Sequence, residues 1–209
     1  MPPGYFDLDE SSAAAFVAAR PALAARVGGP ESAASWRVRE VGDGNINFVF
    51  IVEGPLGAVV VKQGRPYVRV IGESWPLTQE RIRFEAQALQ EHARCGLRVF
   101  PPAMLHPCIS HARPHCPCTP PRHCPEHVPE VFLYDPQMSA LAMRYVEPPH
   151  VILRKGLVEG GVYPDFPRHC AAYMARVLLR TSTLVMDTEA HAALARRVGD
   201  GGASRQHQR

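Results

Sequence analysis

The sequence predicts an α+β fold: a five-stranded antiparallel sheet carrying one packed helix, with helical segments before and after it. Three observations lead there. Residues 36–63 run strand, Gly-bearing turn, strand, turn, strand, an antiparallel meander rich in β-branched residues. After Thr78 the apolar residues recur at helical spacing. Residues 128–135 and 139–146 then form a second strand pair, joined by the turn sequence Asp135-Pro136-Gln137-Met138.

Each element has its own signal. Residues 7–28 are rich in alanine, with Leu8, Phe16, Val17, Leu23 and Val27 as the larger apolar residues. Asp9 or Ser11 can cap a helix there, and Pro21 and Gly28-Gly29-Pro30 interrupt it, so two short helices are predicted. Residues 1–35 are thus an N-terminal helical segment. Trp36, Val38 and Val41 alternate with polar residues before Gly42-Asp43-Gly44. Asn45 to Val52 form the next strand, Glu53 to Gly57 a turn, and Ala58 to Gln63 a third strand. Residues 64–77 read as a loop. Thr78 caps a helix that ends at Gly96 and places Ile82, Ala86, Leu89 and Ala93 on one face. Glu147-Pro148-Pro149-His150 is extended and leaves the sheet. The sheet domain therefore spans residues 36–150. Residues 151–198 begin a second, helical region, with Tyr173, Val177, Leu178, Leu184, Leu194 and Val198 as its apolar positions. Residues 199–209 are polar and are expected to be a disordered tail.

Composition narrows the function classes. The 209 residues are 46% hydrophobic and 21% charged, enough for one globular domain with a satellite. The net charge of +3 argues against an extended nucleic-acid surface. No apolar run reaches the ~18 residues needed to span a bilayer. The acidic stretch from Met1 to Glu10 lacks the features of a secretory signal, so a cytoplasmic location with reduced thiols is expected.

The order of elements points to chemistry. Gly42 and Gly44 allow a strand turn to approach phosphate oxygens, so that backbone N–H groups can donate to them. Asn45 and Asn47 can add side-chain donors. Lys62, ending the third strand, supplies a positive charge for phosphates. Glu85 lies three and four residues from Ile82 and Leu89, which puts a carboxylate on the buried stripe of its helix. Such a group needs a partner, and Lys62 is the natural one. The connector after Val146 can offer backbone groups to an adenine edge. Singly, these features are ordinary: Gly-Asp-Gly is a common hairpin turn, and a strand-ending lysine is usually just exposed. In this order they follow the plan of a protein-kinase-like N-lobe.

Longer motifs add a resemblance. The run from Gly42 to Phe50, Val61-Lys62-Gln63, the run from Ile71 to Pro76, and the run from Arg81 to Ala86 resemble 5-methylthioribose kinases. So does the stretch from Met143 to His150 followed by Ile152 to Leu157, which is similar to the plant-type hinge region. The resemblance covers about residues 5–100 and 128–198. It implies a kinase that transfers the γ-phosphate of ATP to the 1-hydroxyl of 5-methylthioribose in methionine salvage, with Mg²⁺ as cofactor and a homodimeric assembly. By the same resemblance Asn45 and Lys62 contact ATP, and Arg144, Tyr145 and Val146 form the hinge that holds adenine. Glu85 is the partner of the lysine, and Trp75 lies in a mobile loop near the active site.

The sequence departs from that family in two places. The family's His-Gly-Asp-type catalytic loop and its Mg²⁺-binding Asp motif have no counterpart: Asp187-Thr188 and Asp200-Gly201 lack the His-x-Asp context. The chain therefore resembles an N-lobe followed by the first helices of a truncated C-lobe, expected to be inactive alone. A non-catalytic, pseudokinase-like nucleotide-binding module is the alternative. Residues 101–127 form an irregular insertion rich in Pro, Cys and His, including Cys108, His111, His115, Cys116, Cys118, His123, Cys124 and His127. Cys116-Pro117-Cys118 is tighter than a CxxC knuckle and no paired knuckle follows, so no metal site is predicted there.

Overall fold

The computed structural model describes residues 3–42, 44, 46–93, 127–179 and 181–199. The inserted segment, apart from His127, and the tail beyond Gly199 lie outside the described residues, as do Asp43 and Asn45.

Two compact units divide the chain: Met1–Leu89 with Pro129–His150, and Gln90–Val128 with Val151–Arg209. The first is built on a five-stranded antiparallel sheet in the order β1-β2-β3-β7-β6. Its strands are β1 (Arg37–Glu40), β2 (Asn47–Gly54), β3 (Gly57–Gly64), β6 (Val131–Asp135) and β7 (Ala140–Arg144). The meander and the later strand pair thus join through β3 and β7, where Lys62 pairs with Leu141 and Val61 with Ala142. The turn between β6 and β7 is set by Asp135, whose Oδ1 accepts from the N–H groups of Gln137 and Met138, each at 3.0 Å. That local bond is what makes an Asp-led turn close without a loop.

Partners across an antiparallel ladder share a face, so the register sorts the side chains. Phe50, Val61 and Ala142 lie in one row, and Val49, Lys62 and Leu141 in the next, on the opposite face. The first face is covered by the N-terminal helices α1 (Glu10–Ala18) and α2 (Pro21–Val27). Phe16, Val17, Leu23 and Val27 pack with Phe50, Val52, Val59 and Val61 into one buried cluster. Both helices start where the sequence signals. Asp9 Oδ1 accepts from Ser12 N–H, while Ser12 Oγ accepts from Asp9 N–H, both at 2.7 Å, a capping box. Pro21 stands at the start of α2.

The second face carries α3 (Glu80–Ala93), which buries Ile82 and Ala86 against Leu141, with Leu89 packed alongside. Gly64 lets this helix come close: a Cβ there would stand 2.6 Å from Ile82 Cγ1. Residues 64–77, expected as a loop, contain a small hairpin, β4 (Tyr67–Val68) and β5 (Gly72–Pro76). It was hidden because the segment lacks alternation; the turn depends on Gly72, whose φ of 85° favours glycine.

The described residues of the second unit are mostly helical. Its elements are the last turn of α3, then α4 (Leu153–Val158), α5 (Phe166–Tyr173) running into a π-helical turn (Met174–Leu179), and α6 (Thr188–Gly199). The helical region expected over residues 151–198 is thus divided into separate helices, with turns and bends between Thr181 and Met186. Asp187 caps α6, its Oδ1 accepting from Ala190 N–H at 2.7 Å. That gives this Asp a structural task. Arg197 pairs with Glu91 at 2.8 Å, and Tyr173 Oη lies 2.8 Å from His92 Nδ1. No helix of the described residues is long and apolar enough to cross a membrane.

Candidate functional site

The site is assembled on the α3 face of the sheet. Lys62 is carried outward by its position in β3, one residue after the buried Val61. Glu85 is carried inward by α3, three residues after Ile82. Lys62 Nζ lies 2.8 Å from both Oε1 and Oε2 of Glu85, with side-chain exposures of 21% and 32%. The pair is shielded enough to be held in one geometry, yet open enough for a ligand to reach the ammonium.

Arg81 stands one helical turn before Glu85 and makes a wider set of contacts. Its Nε donates to Asn47 Oδ1 at 2.9 Å, and one terminal nitrogen donates to the carbonyls of Arg65 and Thr78 at 2.8 and 2.6 Å. The other lies 3.4 Å from the carbonyl of Ile46. Burial lowers the affinity of this guanidinium for its proton, while the nearby Tyr5 and Glu85 oppose that shift. Asn47 is on the Lys62 face, because its ladder partner is Gly64, two residues beyond Lys62. The sequence alone assigns Arg81 no role. Its signal was available: an arginine one turn from an inward-facing glutamate shares that helix face.

The glycines divide. A Cβ on Gly44 would stand 2.8 Å from the carbonyl oxygen of Asn47, so the turn closes tightly only without a side chain. A Cβ on Gly42 meets nothing within 4 Å. Open space above Gly42 leaves room for a ligand to approach the backbone. Asn45, expected as an ATP contact, lies outside the described residues.

Trp75 sits on β5 and is 59% exposed. Arg144 ends β7, and its N–H donates to Glu130 O at 2.8 Å. Tyr145 Oη is 3.4 Å from a terminal nitrogen of Arg39, and Val146 is exposed. Arg144, Tyr145 and Val146 line a broad concavity of about 770 Å³ with Arg26, Gly57, Ala58 and Phe132. This concavity includes neither Lys62 nor Glu85. Ala58 precedes Lys62 by four residues of strand, or roughly 13 Å. The structure thus brings Lys62, Glu85, Arg81 and Asn47 into one cluster and leaves the 144–146 segment at the other end of β3.

The residues present suit a phosphate-bearing nucleotide through the fixed ammonium of Lys62 and the open approach over Gly42. Among the described residues no group of three or more His, Cys, Asp or Glu side chains is arranged to hold a metal ion.

Comparison with known proteins gives relatives named methylthioribose kinase. No family model matches the chain. Methylthioribose kinase 1 of Oryza sativa is 47% identical over 188 residues, which cover 90% of this chain and 37% of the relative. Methylthioribose kinase of Escherichia coli is 34% identical over 195 residues, 93% of this chain and 39% of the relative. The Bacillus velezensis protein of the same name is 33% identical over 196 residues, 92% of this chain and 40% of the relative. The chain spans no more than about two fifths of the length of these relatives.

Proposed function

Because the chain belongs to the methylthioribose kinase family over the region it shares with these relatives, we propose that it is the nucleotide-binding part of an ATP-dependent kinase acting on 5-methylthioribose. The product would be 5-methylthioribose 1-phosphate, a step of methionine salvage in the cytoplasm. One observation carries the reading: the ion pair of Lys62 with Glu85, on a sheet whose strand order follows the kinase plan. A lysine held by a helix carboxylate keeps its ammonium aimed at the place where phosphate charge sits. When bound, ATP supplies the phosphoryl group. Lys62 and the backbone around Gly42 and Gly44 hold its phosphates, and the main chain of Arg144, Tyr145 and Val146 meets its adenine edge.

The 209 residues contain no His-x-Asp sequence. That observation favours a second reading for this polypeptide taken by itself: a nucleotide-binding module without turnover. Two measurements separate the readings. In a calorimetric titration, ATP binds the chain, and Lys62→Met lowers its affinity about 10-fold or more, the loss of a charged hydrogen bond. In a coupled assay with methylthioribose, the chain alone shows no turnover. Normal turnover would remove the second reading; unchanged ATP affinity in Lys62→Met would remove both.

A further inference from the structure

We propose that Arg81 is a positioning residue that fixes Asn47 as a donor to the phosphates of the bound nucleotide. The inference rests on the nucleotide reading above and extends it to Arg81, which has no role there, and to the orientation of the Asn47 amide. An asparagine amide has an acceptor end and a donor end, and the hydrogen bonds around it decide which way each points. Arg81 has donors only. Its Nε donates to Asn47 Oδ1 at 2.9 Å, so the acceptor end of the amide is committed to the helix. The Nδ2 group is then the end left for a ligand.

Arg81 is held as firmly as it holds. The carbonyls of Arg65 and Thr78 accept from one terminal nitrogen, and the carbonyl of Ile46 lies within reach of the other. The guanidinium thus ties the start of β2 to the chain after β3 and to the residues that lead into α3. Asn47 lies on the same face as Lys62, two rungs along the ladder. Arg81 and Glu85 are one turn apart on α3, so one helix sets both the lysine and the asparagine. An acceptor-only ligand such as a phosphate suits a cluster that offers an ammonium and an amide N–H on one face.

The test uses the full chain, with ATP and adenosine titrated in parallel and exchange of the Ile46 to Val49 amides followed by mass spectrometry. Asn47→Asp keeps the bond to Arg81 but removes the donor and adds a negative charge. It is expected to retain the melting temperature and the slow exchange, and to weaken ATP about 10-fold or more without affecting adenosine. Arg81→Met is expected to raise exchange in that segment and to weaken ATP selectively, with Arg81→Lys restoring little because it cannot make the forked contacts. Unchanged ATP affinity in Asn47→Asp would overturn the donor role. Unchanged exchange in Arg81→Met, or parallel losses of ATP, adenosine and melting temperature, would overturn the positioning role. If the parent chain binds no ATP while exchange still responds to Arg81→Met, the nucleotide reading itself fails and takes the donor role with it.

Discussion

Lys62 Nζ lies 2.8 Å from each carboxylate oxygen of Glu85, joining the end of β3 to the second turn of α3. Both side chains keep some solvent, so the pair contributes little to stability, about 1 kcal/mol or less. Its consequence is positional. Glu85→Gln is expected to leave the melting temperature nearly unchanged while lowering ATP affinity several-fold, as the lysine loses its fixed direction. Calorimetry and differential scanning fluorimetry on the same samples check this. A melting temperature that falls sharply with unchanged ATP binding would make the pair a structural brace instead.

Gln63, the neighbour of Lys62, is fully buried and fully bonded. Its Oε1 accepts from Leu8 N–H at 2.8 Å, and its Nε2 donates to the carbonyls of Phe6 and Met138 at 2.9 and 3.1 Å. It fastens the segment before α1 to β3 and β7. Gln63→Leu strands the Leu8 N–H and the Met138 carbonyl away from water, so a loss of roughly 2–4 kcal/mol is expected. Urea unfolding should show a lower midpoint with an unchanged slope. A midpoint equal to the parent's would mean that the N-terminal segment contributes nothing to the sheet.

Two partly buried phenols are expected to contribute to the loss of stability at alkaline pH. Burial raises Tyr5, with its hydrogen bond to Asp7 adding to the shift. Burial likewise raises Tyr134, with the Glu80 carboxylate adding to it. The ordinary value is 10.0 in both cases. Raised folded values mean that the unfolded chain gives up these protons first. Stability is therefore complete below the ordinary value and falls as pH rises from there through the folded values. Tyr134→Phe should flatten that fall, measured as unfolding free energy by urea at successive pH values up to 11. An identical decline in the variant would assign the alkaline limb to other groups.

Much of this was legible because local signals and tertiary packing agree. The β-branched run from Ala58 to Gln63 encodes a strand, and the helical spacing of Ile82, Ala86 and Leu89 encodes both an element and the face it buries. The Lys62/Glu85 pair was legible for the same reason, since burying a lone carboxylate is unfavourable. The β4/β5 hairpin was not, because two-residue pairing leaves no period to detect. The helix face of Arg81 was legible beside Glu85, but its partners were not: Ile46 and Asn47 are 35 and 34 residues away in sequence, and nothing local encodes them. The packing of α1 and α2 onto the sheet was likewise invisible, since an alanine-rich helix does not declare which surface it covers.

The close approach of α3 to β3 gives a prediction with a built-in control. A Cβ at Gly64 would lie 2.6 Å from Ile82 Cγ1 and 3.5 Å from Ile82 Cδ1. Gly64→Ala must push the helix outward or force Ile82 from its rotamer, a penalty of roughly 1–3 kcal/mol. Ile82 is fully buried, so Ile82→Ala alone should lose roughly 2–5 kcal/mol through the cavity it leaves. In the double variant the new methyl enters the space that the isoleucine vacates. The combined loss should therefore fall short of the sum of the two by about 1 kcal/mol or more. Because Glu85 rides on the same helix, ATP affinity should drop in Gly64→Ala and recover in part in the double variant. Losses that add within about 0.5 kcal/mol would mean that the helix yields elsewhere and that Gly64 does not set its distance from the sheet.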